Sequence, residues 1–208
     1  METLKDIEDV ILVNPQTKEE IEMKSLWKDS QCVILFLRRF GCAFCRLGAK
    51  ELSLIVPQLK EANVRLVGIG HEELGVQDFI DGKYLDGELY LDLGKKSYTA
   101  MKFHKYNYVT IVPTLIAKVA RDAYKKSKSV GIKGNLEGDG FQTGGLIVVD
   151  KNGEKILFEF RQNNPADNPS NEDILKALNL DSTNVPKLES KDTADLQCDD
   201  EDACSKPT

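Results

Sequence analysis

Two cysteines separated by two residues, Cys42 and Cys45, stand in the stretch FLRRFGCAFCRLGAKELSLI, with Arg39 and Arg46 on either side of them. A pair at this spacing can be half of a zinc site, a reversible dithiol–disulfide couple, or two thiols that merely pack. Zinc needs a second pair of ligands. Cys198 and Cys204 have five residues between them and lie in an acidic C-terminal stretch, while His71 and His104 are isolated from each other. Neither supplies a second knuckle. Cys32 opens an apolar run and reads as a small buried hydrophobe. The redox couple is the chemistry that the Cys42–Cys45 surroundings favour.

That preference comes from the elements that must position the pair. CVILFL, residues 32–37, is continuous, apolar and β-branched, the pattern of a central strand buried on both faces. Gly41 makes a tight turn. Beyond it Phe44, Leu47, Leu52, Ile55 and Leu59 recur at roughly helical spacing, with Pro57 expected to kink or restart the helix. A helix starting at Cys42 aims unpaired N–H groups and its positive dipole end at the first sulfur, and both favour the reactive thiolate. Cys42 is therefore expected to attack and Cys45 to resolve. Arg39 and Arg46 are the candidates for added positive charge. Strand alternation puts Arg38 and Arg39 on opposite faces, so at most one points at the cysteines and the other is expected to pair with a carboxylate elsewhere.

The rest of the chain fits one α/β domain. Short apolar runs at 10–13 and 21–23 flank NPQTKEE as a hairpin, VRLVGI at 64–69 is a second buried strand, and 76–80 is a short helix. A short strand at 88–91 and a helix over 95–104 follow. GGLIVVD and EKILFEF flank Lys151-Asn152-Gly153 as a second hairpin. Ser170-Asn171-Glu172-Asp173 caps a last helix. The spacing predicts a mixed sheet with a parallel centre, flanked by helices. Its domain spans residues 1–180, with 105–141 inserted before the last two strands.

Residues 181–208 hold eight acids and three lysines, so they carry most of the net charge of −6. They are expected to be a disordered tail. The near-neutral body lacks the basic footprint of nucleic-acid binding. No run approaches the ~20 apolar residues of a membrane span, and METLKDIEDV has no apolar signal core. A cytosolic location is expected, where a close cysteine pair is catalytic more often than structural.

FLRRFGCAFCR, VRLVGIGHEELG, GELYLD and GNLEGDGFQTGGLIVVDKNGEKILFEF together resemble the peroxiredoxin-like 2 proteins, from about Ile11 to Leu180. The resemblance implies a thioredoxin-like, peroxiredoxin-like fold. It implies reduction of the endoperoxide of prostaglandin H2 or prostamide H2 to the F2α product, with no tightly bound cofactor. Electrons would come from NADPH by way of thioredoxin. Cys42 and Cys45 match the family's active-site pair. True peroxiredoxins carry Thr-x-x-Cys, and by that analogy Cys45 would attack. Related branches act as general thiol peroxidases or antioxidant regulators, and a redox-sensing protein is a third, non-enzymatic reading.

The order of the last elements chooses between two segments that might face the cysteines, and the choice favours peroxiredoxin-like over plain thioredoxin architecture. Val112-Pro113-Thr114 resembles the proline segment of thioredoxins, but the hairpin and last helix follow GGLIVVD. Gln142-Thr143-Gly144 is therefore expected beside the pair, with Thr143 in support. Gly68, Gly70 and Gly75 are spaced unlike a dinucleotide loop and read as a strand end and turn. Lys118, Arg121, Lys125, Lys126, Lys128 and Lys133 read as a solvated helix face able to attract a fatty-acid carboxylate. Tyr106, Tyr108 and Tyr124 are left as packing residues.

Overall fold

The N-terminal hairpin forms as its alternation requires: β1 (Ile11–Val13) and β2 (Glu20–Glu22) run antiparallel, with Ile11 opposite Glu22. The structure, a computed structural model, describes residues 4–190. After β2 come β3 (Cys32–Phe36), α1 (Ala43–Ser53), α2 (Val56–Glu61), β4 (Arg65–Gly70), α3 (Val76–Asp81), β5 (Glu88–Leu91) and α4 (Lys96–Ala100). Two helices of the insertion follow, α5 (Tyr108–Ile116) and α6 (Lys118–Ser129). The chain closes with β6 (Gly145–Val149), β7 (Ile156–Arg161) and α7 (Asn171–Ala177).

The seven strands form one sheet in the order β2-β1-β5-β4-β3-β6-β7. β3, β4 and β5 are parallel, and the pairs β1–β5, β3–β6 and β6–β7 are antiparallel. Every residue of β3 is buried, which is why its sequence shows no polar alternation. Its side chains still divide by parity. Val33 and Leu35 enter a core with Cys42, Cys45, Leu52 and Leu146. Cys32, Ile34 and Phe36 enter a second core on the other face with Val67, Ile69 and Tyr98. Cys32 thus sits on the opposite face from the CxxC pair, and burial pushes its thiol up, keeping it neutral.

Local signals act where the sequence puts them. Pro57 lies in the first turn of α2, where its missing N–H costs no helix bond. Asn152 and Gly153 take φ of 65° and 69°, the positive values that this hairpin turn needs. Ser170 caps α7 by accepting from the Asp173 N–H. The helix expected over 95–104 is shorter, because Lys102 at φ 52° ends it and Phe103 N–H closes back on the Tyr98 carbonyl. Gly68 and Gly70 belong to β4 itself. A side chain on Gly70 would overlap the Phe40 ring, so this glycine is a packing device. The last described residues, 181–190, contain no helix or strand, yet Val185 packs against the first core, so the body extends past Leu180. Cys198, Cys204 and the rest of the acidic stretch beyond 190 lie outside the described residues.

Tyr98, in the second core, ties the ends of β3 and β4 together. Its hydroxyl lies 2.8 Å from the Leu37 carbonyl oxygen and 2.7 Å from that of Ile69, where β3 and β4 both end. Tyr98→Phe removes this buried donor from two carbonyls, and should lower the unfolding free energy by about 1–3 kcal/mol in a denaturant titration.

Candidate active site

Past Phe36 the chain leaves the sheet and bends at Arg38–Gly41 before α1 begins. Cys42 is the residue that precedes the helix, in extended conformation (φ −75°, ψ 124°), and Cys45 lies one turn in. Both are almost fully buried, at 3% and 5% exposure, so the pair is shielded from bulk water. The two thiols act on each other directly: each is the largest influence on the other's acidity.

The charge partner is Arg38. Its Nη2 donates to Cys42 Sγ at 2.8 Å. The Cys45 thiol and the Arg38 guanidinium together overcome burial and hold Cys42 well below the ordinary thiol range. The neighbouring Cys42 and burial both push Cys45 well above it. Arg38 stays charged despite its burial because Cys42 faces it. One buried thiolate, one buried guanidinium and one neutral thiol make a balanced set.

This corrects the choice of arginines made from the sequence. The alternation argument assumed a strand through residue 39. β3 ends at Phe36, and in the bend that follows parity no longer sets direction. Arg39 acts on Cys42 only at longer range. Its Nη1 donates to the main-chain carbonyl of Glu137 at 3.2 Å, where a carboxylate partner was expected for the arginine turned away. Arg46 donates from Nε to the Phe40 carbonyl and from Nη1 to the Lys133 carbonyl, at 2.8 and 2.9 Å, and lies over the Tyr84 ring.

The three arginines share a second role. Arg38 Nη1 also donates to the Gly140 carbonyl at 2.6 Å. All three therefore grip carbonyls of the segment 133–140, the glycine-rich part of the insertion. Asn135 N–H donates to the Gly41 carbonyl at 2.7 Å, and the Lys95–Asp139 ion pair at 2.7 Å pins the far end. Burial favours a neutral Asp139, but the Lys95 ammonium and the Phe141 N–H hold it down at about 2. Glycine is required where this loop meets the cysteine turn. A Cβ on Gly41 would overlap the Asn135 side chain, and one on Gly134 would overlap the Ala43 backbone nitrogen.

Of the other expected residues, Thr143 is fully buried and donates from its N–H and hydroxyl to the His104 carbonyl, at 2.9 and 2.8 Å. Gly144 packs against the Phe36 carbonyl at the end of β3. Residues 142–144 thus run beside the strand that delivers the cysteines, and the loop residue joined to the pair through Arg38 is Gly140. Pro113 lies inside α5 and does not form an extended segment. His71 is buried, donates from Nε2 to the Arg38 carbonyl at 2.6 Å, and is kept neutral by burial and by Lys95. Among the described residues no cluster of three His, Cys, Asp or Glu side chains is placed to hold a metal ion.

The sequence did not reveal the cavity. A space of about 1140 Å³ opens at Cys42, between the bend and the insertion. Tyr108, Ile111, Val112 and Leu115 of α5 line one wall at helical spacing. Arg121, Lys125 and Lys128 of α6 supply the charge. The periodicity of residues 108, 111, 112 and 115 was the available signal, hidden by the proline among them.

A mixed sheet with a CxxC pair at the end of its central strand and the start of a helix defines a peroxiredoxin-like oxidoreductase of the thioredoxin fold. A family model described as AhpC/TSA antioxidant enzyme matches residues 51–164, beginning just after the cysteines. Prostamide/prostaglandin F synthase of Homo sapiens is 47% identical over 170 residues, 82% of this chain and 86% of that protein. Those of Bos taurus and Danio rerio are each 43% identical over 94% of this chain and 94% of their own. The chain belongs to the prostamide/prostaglandin F synthase family, within the AhpC/TSA group. Solved structures share the fold at low identity. Reduced Prx3 from Vibrio vulnificus matches with a TM-score of 0.57 at 10% identity, covering 83% of this chain and 96% of its own. Xylella fastidiosa PrxQ matches with 0.57 at 12%, covering 84% and 90%.

The Arg38–Cys42 contact makes a measurable statement about pH. Thiolate at Cys42 should persist at neutral pH, and its alkylation rate should fall only as pH drops through its lowered pKa. In Arg38→Gln, the pKa should rise back toward the ordinary thiol range, read by ultraviolet thiolate absorbance in a protein also carrying Cys32→Ser. Arg39→Gln should shift it less. The linked stability has the matching sign: the lowered pKa stabilises the fold above the unfolded thiol pKa, and this is lost as pH falls through the folded value.

Proposed function

We propose that this protein reduces the cyclic endoperoxide of a prostaglandin H2-type lipid, as free acid or ethanolamide, to the F2α-type diol by a Cys42–Cys45 dithiol cycle. The observation that carries the reading is the Cys42 thiolate, held by Arg38, at the end of an apolar cavity large enough for a lipid. The names of the relatives supply the substrate class.

The chemistry follows from the arrangement. The Cys42 thiolate attacks one oxygen of the weak O–O bond. An S–O bond forms, the O–O bond breaks, and the other oxygen leaves as an alkoxide that takes the Cys45 proton. Cys45, now a thiolate, attacks the Cys42 sulfur. The disulfide forms, the S–O bond breaks, and the second alkoxide takes a proton from water. Two thiols lose two electrons and two protons, and the peroxide becomes two alcohols. The Arg38 guanidinium beside the Cys42 sulfur supplies positive charge where the alkoxide develops. A dithiol protein such as thioredoxin, recharged from NADPH, then restores the pair. A cytosolic setting fits that supply.

The AhpC/TSA family match favours a second reading, a general thiol peroxidase. The cavity argues for the lipid, because hydrogen peroxide needs no apolar wall beside the thiolate. Steady turnover of the endoperoxide, of hydrogen peroxide and of a model disulfide, compared at equal enzyme, separates these readings. The endoperoxide should give the highest kcat/KM. Preference for hydrogen peroxide would move the assignment to the general peroxidase, and no turnover with a disulfide that still forms reversibly would leave a redox sensor.

Cys42→Ser and Cys45→Ser should each abolish multiple turnover. After one equivalent of endoperoxide, mass spectrometry should find an adduct or sulfenic acid on Cys42 of the Cys45→Ser protein. Trapping on Cys45 of the Cys42→Ser protein would reverse the roles.

A further inference from the structure

α5 is apolar on more than the side that lines the cavity. Tyr108, Ile111, Val112 and Leu115 line the open cavity, while Val109, Pro113 and Ile116 form a second stripe at helical spacing. None of its nine residues is buried. Val109 is 81% and Ile116 68% exposed, and Val119, just beyond in α6, is 41% exposed. A helix that is hydrophobic all round is normally covered. A surface stripe of this kind marks a site of interaction.

The neighbouring helix indicates what covers it. α6, KVARDAYKKSKS, has five basic residues and one acid in a chain whose net charge is −6. Lys126 pairs with Glu51 of α1, whereas Lys118, next to the exposed apolar stripe, has no ion-pair partner among the described residues. An apolar helix with cations beside it suits an anionic lipid surface, where apolar side chains enter the headgroup boundary and lysines meet the phosphates. The acidic residues 191–208 could answer the charge of α6, but they have little apolar surface to offer α5. The cavity at Cys42 opens between these same two helices.

We propose that α5 and α6 form a docking surface for an anionic bilayer, with α5 lying in the headgroup boundary and Lys118 facing the lipid phosphates. The protein then sits on the membrane reversibly, since no helix among the described residues is long and apolar enough to cross one. If the endoperoxide reading above holds, the lipid substrate passes from the bilayer directly into the cavity.

Flotation of the full chain with vesicles tests this without turnover, so its failure is distinct from failure of the endoperoxide reading. Vesicles of phosphatidylcholine with phosphatidylserine should carry the protein up the gradient, and phosphatidylcholine alone should carry less. Added salt should weaken the binding. Lys118→Ala should weaken it roughly fivefold, the effect of one cation near a charged surface. Val109→Asp and Ile116→Asp should abolish it with the melting temperature and the turnover of dissolved substrate unchanged, since neither residue lines the cavity. If either Asp variant fails to fold, the salt and Lys118→Ala results decide. Absence of binding to both vesicle types, or binding indifferent to salt and to these changes, would overturn the proposal. So would sedimentation showing a dimer that Ile116→Asp dissociates, which would give the stripe to a second copy of the chain.

Discussion

A single buried charge pair organises this molecule. The Cys42 sulfur, as thiolate, needs a cation inside a nearly dry core, and Arg38 reaches it at 2.8 Å. A lone thiolate there would take up a proton, because an unpaired ion in such surroundings costs several kcal/mol. The guanidinium that prevents this is itself buried, and a planar fork has donors to spare. Arg38 uses one of them on the Gly140 carbonyl. Activating the nucleophile and fastening the insertion are thus two ends of one side chain.

Arg39 and Arg46 extend that coupling. With the Arg38–Gly140 bond, their bonds to the Glu137 and Lys133 carbonyls bring the glycine-rich segment down onto the cysteine turn at three points. The segment can approach so closely because Gly41 and Gly134 leave no Cβ in the way. RRFGCAFCR and GNLEGDG, with 87 residues between them in the chain, are thus two faces of one contact. It also places α5 and α6 beside Cys42, so the element that completes the redox centre builds the cavity as well.

The asymmetry of the dithiol follows from the same arrangement. Cys42 precedes α1 and meets the cation, which helps draw its thiol down, while Cys45 lies a turn deeper, where burial and the neighbouring Cys42 push its thiol up. Under the function proposed above, one sulfur is poised as nucleophile and the other as proton donor and resolver before any substrate arrives. The peroxiredoxin analogy would have put the nucleophile at Cys45. In this chain the Arg38 donor to the sulfur at position 42 is the observation on which the proposed assignment to Cys42 rests.

The sequence alone determined the features that depend on neighbours along the chain. The apolar run 32–37 reads as a buried strand, the Asn152-Gly153 turn as a hairpin, Ser170 as a helix cap, and Cys42 as a helix start, which the structure places one residue later at Ala43. In each case the signal lies within a few residues of its effect. The architecture of a mixed sheet with an inserted segment followed from their order and from the family resemblance. Only the tertiary structure decided which arginine faces the thiolate, because Arg38 and Arg39 sit in a bend where strand alternation no longer applies. Only it showed that residues 108–116 are helical around Pro113, that their inner face lines a cavity, and that Val185 joins the core. These features depend on contacts between segments far apart in the chain, and residue type and spacing do not encode which distant carbonyl a guanidinium will reach.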